Sequence, residues 1–443
     1  MLLVHGMRTA LFLLVVIQCV AAYRSYKNYK LLRVDVDPVD TLWLEQLAAR
    51  YHDNVDIWTE PGKVSHHADI LVSPRFFNRF VRILDSMAVK HRRVLINDIQ
   101  KEIDRQMTDD IQFSRRKRSA AVEDDGRQSD LEQFQVDKYH SYGELVDYMY
   151  ELARKHADIV GIINVTKSFE KRDLLGLKIG KRTPWKPTIF IDAGIHAREW
   201  IAPATAIYVA HKLITEYGKN DLITRMVDKF DWFIVPVANP DGYEYSISSD
   251  RLWRKTRSKN DTLSKWCVGA DANRNWGYRW GEAGANASPC SNIYAGSMPF
   301  SEPEVAGIRD FITWQVPDLK LYISLHSYGQ IWLAPWGYTN MKPSNHEDQK
   351  AAALRALDAI TNSSGVHYEY GTIADLMYQA SGTSIDYMQD RGVPYIYGVE
   401  LRPEEDDQIY GFTIPARFIK PTGEEMLASF LALAEYIIEH KKL

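Results

Sequence analysis

Neither sign of charge dominates this chain. Its 443 residues carry 54 lysines and arginines against 58 aspartates and glutamates, a formal net charge of −4, which gives no reason to expect a nucleic-acid partner. Internal repeats and low-complexity tracts are absent. Long apolar runs are scarce too. The one at the N-terminus, Ala10 to Ile17, follows Arg8 and precedes the small residues Val20, Ala21 and Ala22. It is too short to span a bilayer well and has the layout of a secretory signal peptide, residues 1–22, cut near Ala22. The expected product is secreted and extracellular, with no membrane attachment. Cysteine is rarer still, at three residues; Cys19 lies in the signal segment, which leaves Cys267 and Cys290, and two cysteines in an oxidising compartment should pair.

Residues 23–118 have a pattern of their own. Lys30 to Val34 and Ala68 to Val72 read as strands, with shorter candidates at Asp56 to Trp58 and Arg93 to Ile96. Val39 to Tyr51 and Pro74 to Met87 carry apolar residues at helical spacing, so the order is β-α-β-β-α-β, an open sandwich with helices on one face. The segment ends in Arg115-Arg116-Lys117-Arg118 and the polar stretch Ser119 to Gln133. A run of this kind is either a solvated linker or a cut site for a trypsin-like or furin-like protease.

The remainder, residues 119–443, mixes both element types. Ser141-Tyr142-Gly143-Glu144 is a capping-box pattern that should start a helix. Strand candidates at Val160 to Val165, Leu174 to Ile179, Thr188 to Asp192 and Phe230 to Val235 alternate with helix candidates at Trp200 to Tyr217, Glu302 to Trp314 and Gln349 to Thr361. The fold class this predicts is α/β, a mixed central sheet flanked by helices on both faces, preceded by a small α+β open-sandwich domain.

Three residues near strand ends could build a metal site. His196-Ala197-Arg198-Glu199 follows the strand Thr188 to Ile191, and the second strand Leu319 to Leu325 runs into His326. Two histidines and a carboxylate with a fourth position left for water are a known catalytic zinc set. Each signal alone is weak, since a chain with thirteen histidines produces about one His-x-x-Glu by chance. Glu400 adds a third signal, a carboxylate placed in the mostly apolar run Tyr395 to Leu401. Such a group is either paired, with Arg402 as the nearest candidate, or used as a general acid and base.

Taken in order, His196-x-x-Glu199, Arg251 to Arg257, Asp271-Ala272-Asn273-Arg274-Asn275-Trp276, His326-Ser327-Tyr328, Met377 to Gly382 and Glu400-Leu401-Arg402 resemble the zinc metallocarboxypeptidases, specifically the secreted digestive carboxypeptidase A/B type. The resemblance covers nearly all of the chain after the signal peptide. It implies one Zn2+ held by His196, Glu199 and His326, with Glu400 as general base and acid and Arg254 stabilising the oxyanion. It implies that Arg274, Asn273 and Tyr378 grip the free α-carboxylate of peptide or protein C-termini, that Arg198 serves an adjoining subsite, and that Cys267 is bonded to Cys290. It also implies a zymogen: residues 23–118 as an activation domain ending in its cleavage linker, residues 119–443 as the enzyme, and a monomer.

By the same resemblance the pocket for the C-terminal side chain is lined by Ile373, Met377, Ala380 and Ile385, with Gly398 adding room. The basic-specific branch has an acidic residue where this chain has Ile385, so release of Phe, Tyr and Leu is expected. A shift of one residue would instead bring Asp386 into the pocket and convert the reading to a basic-specific, B-type enzyme. A catalytically silent peptide-binding member of the family would have lost Glu400 or a metal ligand, and this chain has lost neither. A different zinc hydrolase of the same general fold would have no use for the carboxylate cage of Asn273, Arg274 and Tyr378. The acidic run Glu404-Glu405-Asp406-Asp407 departs from the family pattern.

Overall fold

The computed structural model describes residues 23–36, 42–61, 66–89, 91–110, 134–183, 185–404 and 410–441. The signal segment, Arg115 to Arg118 with the polar stretch after them, and Glu405 to Asp407 lie outside the described residues.

Strands β1 (Lys30–Asp35), β2 (Val55–Thr59), β3 (His67–Val72) and β4 (Arg92–Ile96) form an antiparallel sheet in the order β2-β3-β1-β4. Helices Leu42–Arg50 and Phe77–Ser86 fall between β1 and β2 and between β3 and β4, the order expected from the spacing of apolar residues. Phe80 and Leu84, one helical turn apart, pack on Leu32, Val34, Ile70 and Val72 in the core of this domain. A further helix, Ile99–Asp110, was not anticipated. Its apolar stripe is narrow, Ile99, Ile103 and Met107, and the stripe packs in one cluster with Leu31, Leu71 and Ile96 of its own sheet and Leu252, Tyr328 and Phe412 of the larger domain.

The larger sheet contains β5 (Val160–Lys167), β6 (Asp173–Ile179), β7 (Thr188–Ala193), β8 (Asp231–Val235), β9 (Leu319–Gly329), β10 (Ile331–Ala334), β11 (Glu369–Thr372) and β12 (Tyr395–Glu404) in the order β11-β10-β12-β9-β7-β8-β6-β5. It is mixed, as expected: β7 is parallel to β8 and β9, β9 is parallel to β12, and β5 and β6 are antiparallel. A strand buried on both faces reads mostly apolar, as β7 does through Ile189, Phe190 and Ile191, with Thr188 and Asp192 buried near its two ends. Its Ile189 and Ile191 enter one core with helices Ile201–Thr215, His346–Ser364 and Ile419–Lys441, while Phe190 enters the other with Pro303–Gln315 and Ser384–Asp390. The short strands β10 and β11 and the long C-terminal helix were not anticipated either.

Parallel pairing brings three carboxyl-terminal strand ends to one edge. Register places Ala193 of β7 opposite Leu325 of β9, and His326 of β9 opposite Glu400 of β12. Open α/β sheets collect their ligands at such edges.

Candidate active site

The turn after β7 carries His196 and Glu199. Gly194 makes it possible, at φ +63 with Pro203 Cγ only 2.9 Å from where a Cβ would sit. His326 lies inside β9, not at the strand end expected from the sequence, because pairing continues to Gly329. All three side chains are buried, at 4, 3 and 5 % exposure, and their ligand atoms lie within 4.8 Å of one another. The other grouping of possible ligands among the described residues, His52 with Cys267 and Cys290, is spent: the two cysteines form the expected disulfide.

Hydrogen bonding shows that the first set suits a cation. His196 Nε2 faces Asp271 Oδ1 at 3.0 Å, and His326 Nε2 faces Ser324 Oγ at 3.1 Å, whose hydroxyl donates to Asp192 Oδ1 at 2.7 Å. With Nε2 of each ring protonated for these contacts, the Nδ1 lone pairs point inward. There Nδ1 of His196 lies 2.8 Å from Glu199 Oε1, and Nδ1 of His326 lies 3.2 Å from Glu199 Oε2 and 3.2 Å from the other Nδ1. Converging acceptors with no proton between them repel unless a cation sits among them, so two nitrogens and a carboxylate fit zinc. Burial would raise the Glu199 carboxyl, but His196 and His326 hold it below the usual carboxylate range.

Asp271 and Asp192 had no role in the sequence reading. Asp271 Oδ1 orients His196 while its Oδ2 takes Arg254 Nε and Nη2 at 3.1 and 2.9 Å, which fixes the guanidinium with its Nη1 3.8 Å from Glu199 Oε1. Burial works against charge on Asp271, yet Arg254 and His196 hold it well below the usual range. The only trace of this in the sequence is a carboxylate opening the Asp271-Ala272-Asn273-Arg274 motif.

Arg274 donates from Nη2 to the Tyr378 hydroxyl at 2.9 Å and from Nε to the Gly284 carbonyl at 2.6 Å. Asn273 joins them: its Oδ1 accepts from the Ser384 amide at 2.9 Å. Burial pushes the Tyr378 phenol up to about 12, so it stays a neutral donor. Glu400 lines the same cleft, of about 390 Å³, together with the three metal-site residues, Arg254, Asn273 and Arg274. Arg402 pairs with Glu425. Ile373, Met377, Ala380, Ile385 and Gly398 also line the cleft, whereas Asp386 is turned away, accepting from the Gly337 and Tyr338 amides at 2.8 and 3.0 Å.

The small domain covers this cleft. Glu45 of helix Leu42–Arg50, Asp56 of β2 and Glu60 just after β2 line it, and Asp56 pairs with Arg198 at 2.6 Å. Trp58, Ile99 and Ile103 share an apolar cluster with Leu252, Tyr328 and Phe412 of the large domain. Gln106 accepts from Arg251 Nε at 2.7 Å, and the Tyr26 hydroxyl donates to Asp250 at 2.5 Å.

An open α/β sheet with two histidines and a carboxylate able to hold a metal at its edge, and a cationic cage beside them, has the make-up of a metallohydrolase. Sequence comparison narrows the class: the zinc carboxypeptidase profile matches residues 145–429, and the carboxypeptidase activation peptide profile matches residues 39–106. Carboxypeptidase B of Astacus astacus is 42% identical over 68% of this chain and 97% of its own length. Carboxypeptidase A2 of Mus musculus is 34% identical over 96% of each chain. The crystal structure of carboxypeptidase A from Helicoverpa armigera superposes with a TM-score of 0.80 at 28% identity, covering 94% of this chain and 99% of that one. The chain belongs to the zinc carboxypeptidase family and carries the family's activation peptide. It is a zinc-dependent metallocarboxypeptidase in zymogen form. No helix among the described residues is long and apolar enough to cross a membrane.

Proposed function

We propose that the protein is a secreted carboxypeptidase of A type, removing hydrophobic and aromatic residues from peptide and protein C-termini. His196, Glu199 and His326 would hold the zinc, which when bound supplies Lewis acidity, polarising a carbonyl oxygen and acidifying water. Glu400 takes the proton from the attacking water and returns it to the departing amine nitrogen. Arg254, fixed by Asp271, faces the oxygen on which negative charge develops. Arg274, Asn273 and Tyr378 hold the terminal carboxylate and so set which bond is cut. Residues 1–22 are the signal peptide and 23–118 the activation domain, released by a trypsin-like or furin-like cut near Arg118 from an enzyme that acts as a monomer.

The observation that carries the A-type reading is the position of Asp386. Its carboxylate is bound to two backbone amides away from the cleft, and burial pushes it up to about 7 despite them. It therefore does not supply a counter-charge to lysine or arginine, and Ile385 faces the pocket in its place. Opposite Ile385, a Cβ on Gly398 would sit in ordinary contact with Ile385 and Leu333 at 3.8 Å, so the glycine leaves free the room that a side chain there would take. The name carboxypeptidase B on the relative from Astacus astacus supports the second reading, a preference for basic residues.

Matched blocked dipeptides ending in Phe and in Arg, assayed with and without a zinc chelator, decide between them. Burying an apolar side chain is worth ~1.5–3 kcal/mol, so kcat/KM should favour Phe by about tenfold or more. All activity should vanish with the chelator, and Ile385→Asp should shift the ratio toward Arg. A wild-type ratio favouring Arg establishes the B-type reading instead.

A further inference from the structure

Asn164-Val165-Thr166, Asn260-Asp261-Thr262, Asn286-Ala287-Ser288 and Asn362-Ser363-Ser364 are Asn-x-Ser/Thr triplets, the acceptor pattern for N-linked glycans on secreted chains. The fold treats them differently. Asn164 lies within β5, where its Nδ2 donates to Asp173 Oδ1 at 2.9 Å, and Thr166 packs against Gly307. Asn286 is half-buried, its amide donating to the Ile293 carbonyl and its own carbonyl accepting from the Ala295 amide. Asn260 is exposed in a turn. Its Oδ1 accepts from the Thr262 and Leu263 amides at 3.2 and 3.4 Å, which fixes the side chain and leaves Nδ2 without a hydrogen-bond partner among the described residues. Asn362, on the last turn of helix His346–Ser364, is exposed as well.

Surroundings separate these two exposed asparagines. Leu263 and Trp266, shortly after Asn260, are 51 and 89 % exposed, whereas no large apolar side chain of the described residues near Asn362 in the chain is exposed. Asn260 and Leu263 line one shallow groove with Pro289 and Ser297, and Met298, next in the chain, is 60 % exposed. Trp266 has this exposure with the activation domain docked, so that domain is not its cover. We propose that Asn260 is a site of N-linked glycosylation, and that the first sugars of the glycan cover Leu263 and Trp266. The inference rests on the secreted reading, since the transfer takes place on chains entering the secretory route. The bond formed joins Asn260 Nδ2 to C1 of an N-acetylhexosamine, and the bond broken joins that carbon to a phosphate oxygen of a lipid-pyrophosphate-linked oligosaccharide. The lipid pyrophosphate leaves, and one amide proton passes to solvent. Transfer precedes folding, so what the fold supplies is room for the product: an exposed turn, an unused Nδ2, an exposed Thr262 and, close by, a flat indole for the carbon-hydrogen face of a sugar ring. A bare Trp266 beside Leu263 would instead be an adhesive patch.

The test uses the full chain secreted from cultured eukaryotic cells, mapped by mass spectrometry after peptide-N-glycosidase treatment in heavy-oxygen water. Residue 260 should be read as Asp carrying heavy oxygen in most molecules; Thr262→Ala should abolish that label and Thr262→Ser should keep it. Removing the glycan from the folded protein with the same enzyme should make it self-associate in sedimentation at concentrations where the untreated chain is monomeric, and Trp266→Ser should restore the monomer. Secreted protein with Asn260 unmodified overturns the site, and a glycan whose removal leaves the association state unchanged overturns the cover. A chain retained in the cells with its apolar N-terminal run uncut overturns the secreted reading and the site together.

Discussion

Gly284 shows how much of the cage depends on a residue without a side chain. Its carbonyl takes Arg274 Nε, its φ is +54, and a Cβ there would lie 2.1 Å from the Gln379 carbonyl oxygen and 2.9 Å from Ala380 Cα. The loop is also tied to the Tyr378 side of the cage, Ala283 and Ser381 exchanging backbone and side-chain hydrogen bonds. Gly284→Ala must push these loops apart and turn the guanidinium out of plane. A charged hydrogen bond of this kind is worth about 1.5–3 kcal/mol, so KM for peptides with a free C-terminus should rise about tenfold or more while zinc content is unchanged. Steady-state kinetics on the variant would check this; an unchanged KM would leave Gly284 as loop geometry only. That His196, Glu199, His326, Arg274 and Glu400 would come together in one cleft was legible in the sequence through residue type and motif order. Gly284, Asp271 and Asp192 were not, since an acceptor that orients another side chain acquires its role only when distant segments meet.

At the level of elements, β2 and Glu60 just after it act as a plug. Docking puts Glu60 near Glu45, Arg274 and Arg254, and burial and then Glu45 push its carboxyl up to about 7, against the pull of the two arginines. Because the docked carboxyl binds its proton more tightly than the ordinary value of 4.5, its contribution to docking is complete below about 4.5 and is lost as pH rises through about 7. The activity of the uncut chain, expressed as a fraction of the processed enzyme, should therefore climb between about pH 5 and 8, and Glu60→Gln should flatten the climb. A fraction that falls with pH in the wild type would contradict this. The plug's own fold could be read from period-2 and period-3.6 patterns, which reflect burial within one domain. Helix Ile99–Asp110 could not, because its narrow stripe of Ile99, Ile103 and Met107 is shared between its own sheet and the contact between domains.

The whole molecule is an enzyme with its own cover, held by an apolar cluster around Trp58 and Phe412 and by the ion pair of Asp56 with Arg198. Since the cover lines the same cleft as Glu400 and Arg274, equal amounts of cut and uncut protein should differ in activity on a small peptide by about tenfold or more, and equal activity would reduce the domain to a folding aid. The mixed sheet with helices on both faces was legible from alternating strand and helix patterns, while β10 and β11, of four residues each, were too short to show a period. The central claim is that one side-chain set holds zinc and a different carboxylate moves the proton. Zinc content and turnover measured on the processed wild type, Glu199→Ala and Glu400→Gln test it most directly. Glu400→Gln should keep about one zinc per chain and lose turnover by roughly a hundredfold or more, whereas Glu199→Ala should lose both. Zinc lost from Glu400→Gln and kept in Glu199→Ala would contradict the account.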